Sequence, residues 1–67
     1  MIKLTRLNNR EVTVNADLIE FLEATPETIV SMTTGRKVVV REPVEEVVRR
    51  IAEYRNRILP VIRTTAN

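Results

Sequence analysis

The sequence predicts a small α+β protein in which a five-strand antiparallel β-meander is followed by one C-terminal α-helix. Short apolar runs separated by turn-forming residues fill the first 41 positions, and this pattern is typical of strands. The apolar spacing then changes to the three-and-four pattern of an amphipathic helix. The length of 67 residues fits one domain. We expect that domain to span residues 1–58, with a C-terminal tail at residues 59–67.

Turn-forming residues set the limits of the five strands. Asn8 and Asn9 tolerate the positive φ that a two-residue type I′ hairpin turn demands. Asn15 begins the turn before the third strand, and Pro26 interrupts pairing because proline cannot donate to a β-ladder. Gly35, the only glycine, supplies the last tight turn. The strands are therefore predicted at about residues 2–7, 10–14, 18–24, 28–33 and 36–41.

The last three strands carry apolar side chains on both faces. Successive side chains of a strand point to opposite sides, which sets Val38 and Val40 against Val39. A domain of this size buries only about 60% of the surface that its unfolded chain exposes. The same alternation sets Leu18 and Leu22 against Ile19 and Phe21, and Val30 and Met32 against Ile29.

Small domains are often stabilised by disulfides, a metal ion or self-association, and the composition of this chain favours self-association. The chain has no cysteine and no histidine, so it lacks disulfides and the usual ligands of a zinc site. We therefore expect a homo-oligomer or a protein partner. The residues predicted to be buried between copies are Leu18, Phe21, Val39, Val47, Ile51 and Tyr54.

A helix is predicted over about residues 43–58. Pro43 suits the first turn of a helix, and the negative charges of Glu45 and Glu46 are stabilised near the positive N-terminal end of the helix dipole. Pro60 limits the far end. The apolar stripe of this helix predicts one of two contacts: packing on the chain's own sheet, or a seam against a second copy. Its members are Val44, Val47, Ile51, Tyr54 and Ile58, broadened by Val48.

The arginines of the C-terminal half form the second notable pattern. Residues 36–67 hold eight of the 11 basic side chains, which permits an acidic partner or a nucleic acid. Glutamate four residues before arginine stabilises a helix, and this spacing predicts three such pairs. Nucleic-acid binding is therefore disfavoured, also because only two aromatic residues are present for stacking. The predicted pairs are Glu45–Arg49, Glu46–Arg50 and Glu53–Arg57.

The composition argues against an enzyme and against a bound cofactor or metal. Without histidine, a nucleophile would depend on Lys3 or Lys37 as its base. One glycine is too few for a phosphate-binding loop. The sequence shows no signal peptide and no apolar run long enough to span a membrane, so we expect a cytoplasmic protein.

Four stretches of the chain resemble the FlbD family of small bacterial flagellar proteins, which includes SwrD. They are "IKLTRLN", "NADLIEFLEATPET", "TTGRKVVVRE" and "VEEVV", in this order over residues 1–58. The resemblance implies a role in flagellar motility, through the power that the motor delivers during swarming. It implies no catalytic residue and no cofactor.

The resemblance also suggests a partner and a place in the cell. A flagellar motor or stator component is the natural partner, and the protein would then lie peripherally at the flagellar base. Two positions depart from the family pattern: Asn9 stands where glycine is common, and Pro43 replaces a small polar residue. Both changes are compatible with the same geometry and favour a more rigid chain.

An alternative resemblance points to RNA. The carbon storage regulator family also begins with a strand of the type "M-x-x-L-T-R", builds five antiparallel strands and a helix, and binds RNA as a dimer. The opening "MIKLTR" fits this pattern. The basic, proline-containing segment that this family uses on RNA is missing here. An RNA-binding regulator therefore stands as the second functional hypothesis.

Overall fold

The computed structural model describes residues 1–58 and confirms the α+β class, with five antiparallel strands and one C-terminal helix. The predicted tail at residues 59–67, with Leu59, Val61 and Ile62, lies outside the described residues. The five strands and the α-helix begin and end within two residues of their predicted limits, and a short 3₁₀ helix was not predicted. In chain order the elements are β1 (Ile2–Thr5), β2 (Glu11–Val14), the 3₁₀ helix (Ala16–Leu18), β3 (Ile19–Glu23), β4 (Thr28–Met32), β5 (Lys37–Val40) and α1 (Val44–Ile58).

The strands form two sheets, which corrects the expectation of one continuous meander. One sheet pairs β1 with β2, and the other has the order β3-β4-β5. The 3₁₀ helix intervenes between β2 and β3, and the Asn15 side chain accepts a hydrogen bond from the Asp17 N–H to begin it. The sheets meet instead where β1 ends beside β5. There Arg6 bridges Val40, and the Arg41 N–H donates to the Thr5 carbonyl at 2.8 Å.

The turns of the β1–β2 and β4–β5 hairpins share one geometry, and it is not the predicted type I′ turn at Asn8 and Asn9. Of that pair only Asn9 has a positive φ, at 69°. The Asn9 N–H donates to the Arg6 carbonyl, and Gly35, at φ 93°, donates in the same way to Met32. This pattern belongs to a three-residue loop with one left-handed residue. Asn9 and Gly35 are the left-handed residues of these turns, and the loop at Asn9 is one residue longer than the predicted two-residue turn.

The third strand does not keep a simple alternation. Leu18 belongs to the 3₁₀ helix, and the pairing of β3 with β4 shifts by one residue between Ile19 and Phe21. A bulge of this kind adds a residue to one strand, so side chains beyond it change face. Ile19 and Leu22 consequently both pack on the core, whereas the alternation predicted opposite faces. Phe21 points away from the core.

The core lies between the two sheets and the helix. Val30 and Val47 are fully buried, and Leu4 and Val40 are 1% exposed. Each fully buried aliphatic side chain contributes about 1.5–3 kcal/mol, so this small cluster dominates the stability of the fold. The remaining buried apolar residues are Ile2, Val14, Ala16, Met32 and Val38.

A polar clip attaches the helix to the open edge of β1. Glu42 accepts a hydrogen bond from the Thr5 N–H at 2.9 Å, and Arg50 donates to the Lys3 carbonyl at 2.6 Å. Arg50 and Glu42 also contact each other at 3.3 Å. Burial by itself raises the pKa of Glu42, but the Thr5 hydrogen bond and the charge of Arg50 outweigh it and hold that pKa below its ordinary value. The clip, formed by Glu42 and Arg50, therefore satisfies the Thr5 N–H and the Lys3 carbonyl, two backbone groups of β1 that β2 does not reach.

Candidate interaction surface

One face of the three-stranded sheet is turned away from the core. Cross-strand partners project on the same side of a sheet, so the pairing assigns each residue to a face. Phe21, Ser31 and Lys37 form one row across the three strands. Glu23, Ile29 and Val39 form the next row. We call these six residues the outer face.

The outer face carries one apolar side chain on each strand, and the one on β3 is not covered by the rest of the described chain. Phe21 is 60% exposed, the most of any large apolar side chain after Met1 among the described residues. Ile29 on the neighbouring strand and Val39 on the strand beyond it are half-buried, and the small Ser31 side chain between Phe21 and Lys37 is 8% exposed. An exposed apolar cluster rimmed by charges is typical of an interaction site.

Leu7 extends this surface towards β1. It lies in the hairpin turn after β1 and is 41% exposed. A shallow depression beside Val39 is lined by Leu7 and Lys37 as well. The Leu7 carbonyl accepts a hydrogen bond from Arg41 at 2.7 Å, so the turn is held against the end of β5.

The six predicted interface residues do not lie on one surface. Phe21 and Val39 belong to the outer face. Val47 is 0% exposed in the core, where Ile51 and Tyr54 pack partly buried against it. The helix stripe is therefore occupied by the chain's own sheets along these three residues.

Leu18 lies apart from the outer face. It is 39% exposed and lines an apolar depression of about 280 Å³ between the two sheets, with Val12, Met32 and Val38. Val48, which was expected to broaden the helix stripe, is 50% exposed. The sequence reasoning missed Glu23, Ile29 and Lys37, although counting the pairing from the Gly35 turn places Ile29 beside Val39.

Two of the four arginines in the described helix, Arg49 and Arg50, contact carboxylates. Arg50 contacts Glu46 at 2.7 Å, as predicted. The predicted pairs Glu45–Arg49 and Glu53–Arg57 are wrong for the described residues, because Arg49 lies between Glu46 and Glu53 and contacts both. Hydrogen bonds from Arg49 and Arg50 lower the pKa of Glu46 to about 2. Glu46 is therefore shared by the arginine three residues later and the arginine four residues later, and both spacings allow contact on a helix.

Residues 1–58 show no other arrangement with evident chemistry. No three acidic side chains within them converge on a position fit for a metal ion. No helix in that range has both the length and the apolar character needed to cross a membrane. Another depression, of about 410 Å³, lies between the start of the helix and the turn at Pro26, lined by both apolar and charged side chains.

Comparison with known proteins assigns the chain to a family. No curated protein and no solved structure matches it. The sequence profile of the FlbD family, described as flagellar and swarming motility proteins, matches residues 1–59. That match spans most of the 67 residues and includes every strand and the helix. The chain therefore belongs to the FlbD family of flagellar and swarming motility proteins.

Proposed function

We propose that this protein supports flagellar motility as a non-enzymatic, cytoplasmic protein-binding module that affects the power of the motor. Its proposed partner is a flagellar motor or stator component at the base of the flagellum, and it acts as a homo-oligomer. The observation that carries the proposal is the outer face. Phe21 stays 60% exposed on a sheet face that also carries Ile29 and Val39 and that the described chain leaves open.

The helix does not supply the binding surface in this proposal. Val47 is fully buried, and Ile51 and Tyr54 face the core. A partner would have to displace the helix to reach these residues, and this would expose the apolar core to water. The outer face needs no such rearrangement, because Phe21, Glu23 and Lys37 are already exposed on it.

RNA binding receives less support from the described charges. Arg49 and Arg50 both contact Glu46, and Arg50 also donates to a backbone carbonyl. Freeing them for phosphate would break these contacts and leave Glu42 without its cation. The regulator hypothesis is therefore not the function that we propose.

A swarming assay tests the role of the outer face. A strain lacking the gene is complemented with wild type, with Phe21→Asp, or with Val48→Asp as a matched control. Val48 is 50% exposed on the helix, away from the outer face. We expect wild type and Val48→Asp to restore swarming, and Phe21→Asp to fail at equal abundance and equal melting temperature.

The rotation speed of tethered cells separates motor power from flagellar assembly. We expect cells with Phe21→Asp to carry a normal number of flagella that turn more slowly. Full swarming by a folded, equally abundant Phe21→Asp variant would contradict the role of the outer face. A loss of flagella in its place would contradict an effect on motor power.

A further inference from the structure

We infer that the occupant of the outer face is the outer face of a second copy, stacked across a two-fold axis, with Glu23 of each copy paired to Lys37 of the other. This inference rests on the proposed interaction role of that face and assigns the face to self-association, so that a motor component would contact another surface of the dimer. The first observation is the distribution of charge. Glu23 lies on β3 at one edge of the sheet, and Lys37 lies on β5 at the other edge.

The two charges also occupy different rows of the face. Glu23 is level with Ile29 and Val39, whereas Lys37 is level with Ser31 and Phe21. A two-fold axis that lies between two stacked faces and runs obliquely to the strands carries Glu23 of one copy onto Lys37 of the other. The same operation brings Ile29 of one copy beside Val39 of the other. The face is therefore complementary to itself, as an isologous contact requires.

Neither Glu23 nor Lys37 has an oppositely charged partner within residues 1–58. Both side chains are exposed. On the helix, by contrast, ion pairs join Arg49 to Glu46 and Glu53, and Arg50 to Glu46. A second copy would supply each of the two charges with an opposite partner, in a register that also covers Phe21.

The size of the face sets the strength of the dimer. Three strands about 4.8 Å apart, with about five residues each rising about 3.3 Å, give a projected area of roughly 250 Å². Stable interfaces bury about 800 Å² per partner, so this dimer dissociates readily. We therefore expect half-association only at high protein concentration.

Charge reversal tests both the face and the register. Sedimentation equilibrium is measured for wild type, Glu23→Lys, Lys37→Glu, and an equal mixture of the two variants. By symmetry each variant replaces two attractive pairs with two repulsive ones, and we expect about ten- to thirtyfold weaker dimerisation. In the mixture, the lysine introduced in one variant faces the glutamate introduced in the other, and the unchanged Glu23 and Lys37 face each other as in wild type. We therefore expect a heterodimer at least as strong as the wild-type dimer.

Matched controls place the same charge changes elsewhere. Glu11→Lys and Lys3→Glu alter exposed residues of the two-stranded sheet and should leave dimerisation unchanged. Circular dichroism melting confirms that each variant is folded. A wild-type protein that stays monomeric at about 1 mM would overturn the inference. Equal weakening by the controls, or a mixture that does not recover association, would also overturn it.

The swarming assay separates this inference from the proposed function. A monomeric protein whose Phe21→Asp variant still fails to swarm would retain the interaction role and lose the second copy as occupant. A dimer with the expected charge dependence, together with full swarming by Phe21→Asp, would retain the dimer and remove its role in motility.

Discussion

Truncation of Val47 decides whether the helix stripe belongs to the core of one chain. Val47 and Val48 are neighbours in α1, with exposures of 0% and 50%. Val47→Ala and Val48→Ala make the same chemical change in the same helical turn. Both gain about 0.5 kcal/mol of helix propensity, so that term cancels in their difference.

The expected magnitude follows from burial. Removal of two carbon groups from a fully buried site costs about 1.6 kcal/mol of transfer free energy. The remaining void of about 50 Å³ adds about 1 kcal/mol if the surroundings do not collapse. Val47→Ala should therefore lower the free energy of unfolding by about 2 kcal/mol after the gain in propensity. Val48→Ala should change it by less than about 0.5 kcal/mol.

Urea unfolding followed by circular dichroism at 222 nm measures both values. In a domain of this size a loss of 2 kcal/mol lowers the melting temperature by about 8–16 °C. The measurement is made at low micromolar concentration and repeated at a tenfold higher one. Equal effects of the two substitutions would refute the assignment of Val47 to the core. A Val47→Ala effect that depends on concentration would instead place this side chain between copies.

Three further predictions concern the clip and the turns. Arg50→Ala removes the hydrogen bond to the Lys3 carbonyl and should cost about 1–2 kcal/mol by urea unfolding, whereas Arg55→Ala, an exposed control, should cost less than about 0.5 kcal/mol. The pKa of Glu42 is lowered by folding, so its ionised form stabilises the protein above an unfolded value of 4.5 and loses this effect as the pH falls. Melting temperatures between pH 7 and pH 3 should accordingly fall less in Glu42→Gln than in wild type; parallel curves would argue against the clip. Gly35→Ala should lower stability by about 1 kcal/mol because φ is 93°, while Asn9→Gly should be neutral or slightly stabilising at φ 69°; the opposite order of melting temperatures would contradict this account of the turns.

Local chemistry explains why the order of strands and helix could be predicted. Asn9, Asn15 and Gly35 each act through their own backbone angles or a hydrogen bond within a few residues. Such preferences are present in the chain before any distant contact forms. The change of apolar period after residue 42 marks the helix for the same reason.

The candidate site was only partly predictable. Alternation correctly set Val39 against the buried Val38 and Val40. It failed in the third strand, because the bulge between Ile19 and Phe21 depends on how β3 fits against β4. A shift of one residue reverses the faces of a strand, so no pattern in β3 alone reveals it.

The sequence by itself determined the turns, the alternation of β4 and β5, the helix and the surplus of apolar side chains on a second sheet face. The tertiary structure alone decided which surfaces stay open. It placed β1 beside β5, buried Val47 of the helix in the core, and let Arg49 and Arg50 share Glu46. These outcomes arise because distant segments compete for the same hydrogen bonds and the same core volume, and that competition is resolved only when the chain is packed.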